Sequence, residues 1–278
     1  MNMLSLSSII LNYKNPELTV KSVNYLERSS EKLGINTQII VVDNSASETA
    51  ETLNNLLDND VTMIENIENM GFSRANNQGI KLSKGEYILL LNNDAFINPE
   101  TLINGIKYLE NHSECGVWSP KLVGEDGEFQ VSCAKLPSIK GLIGEYIRFK
   151  NFDWYPELEN WSEPTDVGNV IGACMIFRRS LVDEIGMLDE DYFFNVEDVD
   201  FCKRIHEAGY TVIYDPRYSI IHIGGASQPG KWVNDPYIHK NRVIYFKKNH
   251  GILKGALAQI IIWTGLKMRK FMMWRAGE

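Results

Sequence analysis

Three apolar runs, each stopping at Asn or Asp, constrain this chain most. Ser7–Leu11 ends at Asn12-Tyr13, Gln38–Val42 at Asp43-Asn44, and Tyr87–Leu91 at Asn92-Asn93-Asp94. Short runs of this kind, too brief for helices, read as strands buried on both faces. Between them Glu17–Leu33, Ala46–Leu57 and Ser73–Leu82 carry apolar residues at helical spacing, Gly34 ends the first, and Val61–Glu65 adds a short strand. Strands alternating with helices predict βαβ units and a mostly parallel sheet. Such sheets bind ligands outside the carboxyl ends of their strands. Polar residues at successive strand ends therefore predict one shared site.

Further along, Val170–Phe177 reads as an apolar strand opened by Gly172-Ala173, and Asp198–Ala208 as a helix stopped by Gly209. Thr211–Tyr214 and Ser219–Ile223 are two more short strands, while the acidic, aromatic stretch Tyr146 to Trp161 fits no element. A chain of 278 residues can bury one large domain with an appendage. The expected division is an α/β domain over 1–227 and a loop with a basic helical extension over 228–278.

The four cysteines, Cys115, Cys133, Cys174 and Cys202, show no C-x-x-C pairing, which predicts a reduced, intracellular (cytoplasmic) protein without disulfide framework or zinc site. The opening MNMLSLSSIILNYKNPE lacks the basic region and cleavage site of a signal peptide and reads as a first strand. The net charge of −8 hides an asymmetry: 236–277 holds nine Lys or Arg and no Asp or Glu. A basic end on an acidic body predicts a surface that meets something anionic. No recognition-helix or RNP-like pattern supports nucleic acid. The mixture of Ile, Trp, Leu, Phe and Met with Lys and Arg from Asn241 to Arg275 predicts either an amphipathic helix on an anionic membrane face or a helix packed on the body or in a homo-oligomer interface. Its longest uncharged run, Gly255 to Leu266, is shorter than the ~20 residues a membrane span needs.

Four pieces could carry chemistry. Asn92-Asn93-Asp94 would hold a carboxylate at a rigid strand edge for a divalent cation, or be an ordinary turn. Glu197-Asp198-Val199-Asp200 would supply a general base, or simply cap the helix that follows. His222 before Gly224-Gly225 would be a metal ligand beside a backbone able to approach a diphosphate, or a structural imidazole. Asn69-Met70-Gly71-Phe72-Ser73-Arg74 would offer backbone donors and a guanidinium to phosphate, or be a glycine turn with a surface Arg.

Taken in order, these pieces resemble the family 2 inverting glycosyltransferases of GT-A fold. The matching stretches are SIILNYKNPE, IIVVDNSAS, ENMGFSRANNQGI, KGEYILLLNNDAFINPETL, GNVIGACMIFRRSLVDEIGMLDEDYFFNVEDVDFCKRIHEAGY and IIHIGGAS, covering about residues 5–227. The NND, ED-V-D-FC-R and H-x-G-G-x-S forms are most similar to bacterial rhamnosyltransferase-like enzymes of cell-surface polysaccharide synthesis. The resemblance implies a nucleotide-sugar donor, with dTDP-L-rhamnose the first candidate and a UDP-hexose the alternative, and a glycan or lipid-linked acceptor. It implies that Asp43 holds the nucleotide base or ribose in a pocket lined by Asn12, Tyr13 and Asn44. It places Arg74 and Asn77 near the diphosphate or the Asp94 region, Gly71 and Phe72 in the nucleotide-sugar site, and Gly172-Ala173 beneath the donor sugar. Asn92-Asn93-Asp94 takes the place of the family's D-x-D motif, with Asp94 and His222 holding Mg²⁺ or Mn²⁺. Asp198 is implied as the base, with Glu197 its neighbour and alternative. Asn92 departs from that motif by one carboxylate, which makes the strictness of metal dependence an open point. Two other classes are weighed. A nucleotidyltransferase would need a glycine-rich loop after the first strand, and LNYKNPEL has none. A non-catalytic nucleotide-sugar-binding module would not need Glu197, Asp198 and His222.

Overall fold

A computed structural model describes residues 5–148, 158–224 and 235–276. The expected turn at Gly225, the expected boundary at 227/228 and most of the acidic aromatic stretch lie outside them. The first half contains β1 (Ser5–Asn12), α1 (Pro16–Leu33), β2 (Asn36–Asp43), α2 (Ala50–Leu56), β3 (Thr62–Glu65), α3 (Gly71–Leu82), β4 (Tyr87–Asn92), β5 (Ala95–Phe96), α4 (Pro99–Asn111), β6 (Cys115–Val123), β7 (Phe129–Gln130) and β8 (Cys133–Ala134). There follow α5 (Ile139–Leu142), running into a π-helical turn at Ile143–Ile147, then β9 (Thr165–Asp166), β10 (Asn169–Val170), β11 (Cys174–Arg178), α6 (Arg179–Ile185), α7 (Glu197–Glu207), β12 (Thr211–His222), α8 (Pro236–His250) and α9 (Ile252–Ala276).

The main sheet runs β3-β2-β1-β4-β11-β6-β12-β5. β3, β2, β1 and β4 are parallel neighbours, β11 lies antiparallel to both β4 and β6, and β12 returns parallel to β6. The result is an α/β fold whose mixed sheet is mostly parallel. Alternation along each strand builds a core on each face. Ile10, Val41 and Leu89 pack into one apolar cluster, Ile9, Ile40 and Leu90 into the other. All four cysteines are buried and unbridged. Burial pushes the Cys115 and Cys133 thiols up to about 12, as expected of core thiols.

Three expected elements change shape. The helix expected from Ala46 begins only at Ala50, because Ala46 and Ser47 are left-handed, with φ of 54° and 63°. That turn carries Ser45 and Thr49 onto the end of β2. The strand expected over Val170–Phe177 is two: β10 pairs with β8, β11 joins the main sheet, and Gly172-Ala173 form the bend between them. The two strands expected after Thr211 are one, β12, whose register shifts between Asp215 and Ser219.

A third apolar cluster joins the C-terminal hairpin to the body. Tyr245, Phe246, Ala258, Ile261 and Ile262 pack with Leu142, Tyr146, Tyr192 and Val196. Gly265 lies so close to Tyr146 that a Cβ there would meet its backbone oxygen at 2.3 Å. Arg242 forms a buried ion pair with Glu145 at 2.9 Å. α9 does not show the division into one polar and one apolar face expected of an amphipathic helix. Ala258, Ile261 and Ile262 pack inward, while Leu253, Ile260 and Trp263 are exposed on the other side. No helix among the described residues is long and apolar enough to cross a membrane.

Candidate active site

The register puts the polar strand ends side by side: Asn12 lies opposite Asp43, and Leu11 opposite Asn92. Asp43 is wholly buried. Its carboxylate accepts from Asn12 Nδ2 at 2.9 Å, from the Ser45 backbone N–H at 3.1 Å and from Thr49 Oγ1 at 2.9 Å. Asn12 in turn accepts from Thr19 Oγ1 at 2.7 Å. Asn44 continues the network, donating to Asn69 Oδ1 at 2.8 Å and accepting from the Met70 backbone N–H at 2.8 Å. A buried carboxylate is tolerated only when its lone pairs are occupied, and here they are. The network ties β1, β2 and the start of α3 into one rigid floor. Tyr13, half exposed beside Lys14, stands at its edge. Thr19, Thr49 and Asn66 carry no motif signal, since only the fold brings them to Asn12, Asp43 and Asn44 respectively.

Gly71 opens α3 with φ of 78° where a Cβ would strike the Phe193 carbonyl oxygen at 2.4 Å, and the Phe72 N–H donates to that oxygen at 2.7 Å. The Phe72 ring reaches Gly172, whose hypothetical Cβ would sit 3.0 Å from it. Arg74 and Asn77 both engage the loop before α7. Asn77 donates to Leu188 O at 2.8 Å and Glu190 Oε1 at 3.0 Å, and Arg74 pairs with Glu190 at 3.5 Å. Asn77 is buried, whereas the Arg74 side chain is about half exposed.

At the sheet centre the Asn92 N–H donates to Ala173 O at 3.0 Å. One residue earlier, the Gly172 N–H donates to Asp198 Oδ2 at 3.1 Å. The Gly172-Ala173 bend therefore links the end of β4 to the first turn of α7. Asn93 points to Thr19, donating to its Oγ1 at 3.1 Å.

Asp94 and His222 converge across the β5–β12 edge. The Gly224 N–H donates to Asp94 Oδ2 at 3.0 Å, and His222 Nε2 lies 3.4 Å from Asp94 Oδ1. Burial alone would raise the Asp94 carboxyl. His222 and the Gly224 N–H outweigh it and hold the group below the usual carboxylate range. His222 Nδ1 faces Gln130 Oε1 at 2.8 Å, while Gln130 Nε2 donates to the His222 carbonyl at 2.8 Å. That fixes the amide and assigns the imidazole proton to Nδ1. His222 Nε2 is then the ring nitrogen that faces the Asp94 carboxylate, and a divalent cation between them would take the place of its proton. The pair thus fits a divalent metal, with diphosphate and water completing the shell. Among the described residues no group of three His, Cys, Asp or Glu could hold a metal, so of these residues Asp94 and His222 would be the ligands. Gln130, 92 positions away in sequence, carried no signal.

Glu197 and Asp198 open α7. Glu197 is buried, and its Oε2 has no hydrogen-bond partner. Burial, then the neighbouring Asp198 charge, push its carboxyl well above the usual range. Asp198 is half-buried and accepts from the N–H groups of Val199 and Gly172. Burial raises it too, against those donors. The pair divides the work expected of neighbouring carboxylates. Glu197 is pushed the further towards its protonated form, and Asp198 keeps an oxygen on the Gly172 N–H. The helix start itself is strained. Asn195 and Val196 are left-handed, with φ of 67° and 78°, and Val196 provides no side-chain cap. Such conformations cost about 1–3 kcal/mol each for residues other than glycine.

The family model for glycosyl transferase family 2 matches residues 7–186. The low-salt glycan biosynthesis hexosyltransferase Agl10 of Haloferax volcanii is 31% identical over 206 residues, 72% of this chain and 61% of that protein. The N-acetylglucosaminyl-diphospho-decaprenol L-rhamnosyltransferase of Mycobacterium tuberculosis is 26% identical over 145 residues, 49% of this chain and 47% of that protein. The chain thus spans about half to three-fifths of these relatives' length. Among solved structures, the mannosyltransferase PcManGT from Pyrobaculum calidifontis, in complex with GDP-Man and Mn²⁺, superposes with a TM-score of 0.55 at 18% identity, covering 98% of this chain and 74% of that one. That likeness shows the fold, which is GT-A. The chain belongs to glycosyl transferase family 2.

Proposed function

We propose that this chain transfers a sugar from a nucleotide-sugar to an acceptor hydroxyl with inversion at the anomeric carbon, using Asp198 as general base and a divalent metal held by Asp94 and His222. The observation that carries it is the Gly172-Ala173 bend. It connects the Asp198 carboxylate, through one peptide, to the strand end that precedes Asp94. A base, a sugar floor and a cation-binding edge would then lie along one short stretch of backbone.

On this reading Asp43 and Asn44 shape the nucleotide pocket and Tyr13 offers its ring to the base. Asp198 takes the acceptor proton as the hydroxyl oxygen attacks the anomeric carbon, and the nucleoside diphosphate leaves from the opposite face. The metal, when bound, would neutralise charge developing on that leaving group. Burial raises the Glu197 carboxyl and its Oε2 meets no partner, which favours Asp198 as the base and leaves Glu197 the alternative.

The relatives' names, a hexosyltransferase and an L-rhamnosyltransferase of a diphospho-decaprenol, support a hexosyl or rhamnosyl donor and a lipid-linked acceptor; dTDP-L-rhamnose is the first candidate and a UDP-hexose the alternative. Calorimetry against UDP, dTDP and GDP, with and without Mn²⁺, tests the donor side. One nucleotide should bind in a metal-dependent way, and Asp94→Ala should abolish that dependence. Failure of all three to bind the folded protein would favour a non-catalytic role.

The acceptor side suggests a partner surface. α9 exposes Leu253, Ile260 and Trp263, with Lys267 over the Trp263 ring at 4.0 Å. An exposed apolar face in a segment without acids fits an anionic bilayer surface. A second copy would set Lys254, Lys267 and Lys270 against their own kind. The extension over 228–278 would then place the 1–227 domain against a membrane carrying the acceptor. Full-length protein should float with phosphatidylglycerol vesicles and lose that binding on Trp263→Glu with Ile260→Glu. Unchanged flotation would refute the surface, and concentration-dependent dimers would assign it to a second copy.

A further inference from the structure

We propose that Asn241, on α8, is a positioning residue for the transfer: its side chain holds the left-handed turn that aims Asp198. The inference rests on Asp198 being the base.

Helices normally start on a relaxed residue whose side chain caps the first turn. α7 starts on Val196, β-branched, left-handed and without a cap, directly after a second left-handed residue, Asn195. Local sequence preference would not choose that path, so something outside α7 must hold it. Asn241 is buried, and its Nδ2 donates to Phe194 O at 2.8 Å and to Asn195 O at 2.9 Å. These two carbonyls belong to the peptide units on either side of the Asn195 Cα. Fixing both planes fixes both backbone dihedrals of Asn195. An amide NH₂ carries the two donors this needs. Aspartate, of the same shape, would carry none at neutral pH.

The turn is gripped from other sides as well. Asn195 Nδ2 donates to Asp235 Oδ2, just before α8. The Val196 side chain is buried among Tyr192, Tyr245, Phe246 and Ile262. From Val196 the geometry passes directly to the base. Val196 O accepts the first helical bond of α7 from the Asp200 N–H at 2.9 Å, and Asp198 sits between them, facing the Gly172 N–H. If the Asn195 peptide planes relax, the first turn of α7 rotates and Asp198 leaves Gly172. A displacement on the order of 1 Å at a reacting group can cost about a hundredfold in rate.

α8 has another polar contact with α7 that bypasses the turn: Asn249 Nδ2 donates to Asp200 Oδ1 at 3.1 Å. It serves as the internal control. Asn241→Ala, Asn241→Asp, Asn249→Ala and Asp198→Asn would be compared in the full chain. The readouts are turnover of dTDP-L-rhamnose (or a UDP-hexose, if UDP binds best), Mn²⁺-dependent nucleotide affinity, and hydrogen exchange over 194–200. Asn241→Ala should lower kcat about 10–100-fold, leave nucleotide affinity within about twofold and speed exchange over 194–200. Asn249→Ala should keep kcat within about threefold. Adding Asn195→Gly to Asn241→Ala should restore part of the rate, because glycine takes the left-handed conformation without steric cost. Full turnover in Asn241→Ala, an equal loss in Asn249→Ala, or loss of nucleotide affinity in step with kcat would each overturn the inference. If Asp198→Asn keeps its turnover, the base assignment falls instead. If Asp198→Asn is inactive while Asn241→Ala is fully active, only the role of Asn241 falls.

Discussion

The proposed nucleotide side and the proposed base side of the site both contain left-handed turns but differ in how their polar groups are satisfied. At the ends of β1 and β2 the polar groups are buried and mutually satisfied: Asn12, Asp43, Ser45 and Thr49 form a closed network, and Asn44 extends it to Asn69. At the start of α7 the chain is left-handed at two non-glycine residues, and a buried Glu197 oxygen has no partner. A binding floor gains from rigidity, which a satisfied network supplies. A general base needs a raised pKa, which takes burial and a close like charge. The left-handed turn meets Asn241 of α8 and packs with Tyr245 and Ile262, far along the chain.

The sharpest way to break the comparison is Asp198→Asn. It should lower kcat by about 10²–10⁴ and leave metal-dependent nucleotide affinity unchanged, as seen by parallel kinetics and calorimetry. If Glu197→Gln is the inactive variant instead, the two carboxylates exchange roles. On the other side, Asp43→Ala should act on stability first. It strands the Ser45 N–H and the Thr49 hydroxyl, while Asn12 keeps its other acceptors, and unpaired buried groups cost about 1–3 kcal/mol each. A loss of about 3 kcal/mol in denaturant unfolding is expected; a near-neutral result would show that the floor is not rigid.

Glu197→Gln sharpens the contrast through pH. The raised Glu197 pKa keeps the folded protein protonated there after the unfolded chain has ionised. The folded state then binds more protons than the unfolded one, so stability from this group falls as pH rises above the ordinary glutamate value. The melting-temperature gain of the Gln variant over wild type should grow from pH 5 to pH 8, and a constant difference would mean that Glu197 is ionised. The smallest effects compare two left-handed positions. Ala46→Gly, on an exposed turn, should relieve strain and change stability by under about 1 kcal/mol in the favourable direction. Val196→Gly relieves similar strain but empties part of a packed cluster, so it should be net destabilising. Thermal melts of the two would reveal opposite signs.

The sequence by itself determined the parallel half of the sheet. Strands buried on both faces are written as continuous apolar runs, and Asn12, Asp43 and Asp94 mark their ends because polar groups cannot continue inside the core. It also singled out Glu197, Asp198 and His222, whose residue types announce chemistry. Only the tertiary structure decided which groups each of these faces. Gln130 meets His222 and Asn241 meets the Asn195 turn across many intervening residues, through amide side chains that look like ordinary surface polarity in a sequence. Local propensity would also have made 170–177 a single strand and begun a helix at Ala46. The bend at Gly172-Ala173 and the left-handed turn at Ala46-Ser47 exist because long-range hydrogen bonds and packing outweigh the few kcal/mol that local preference can exert.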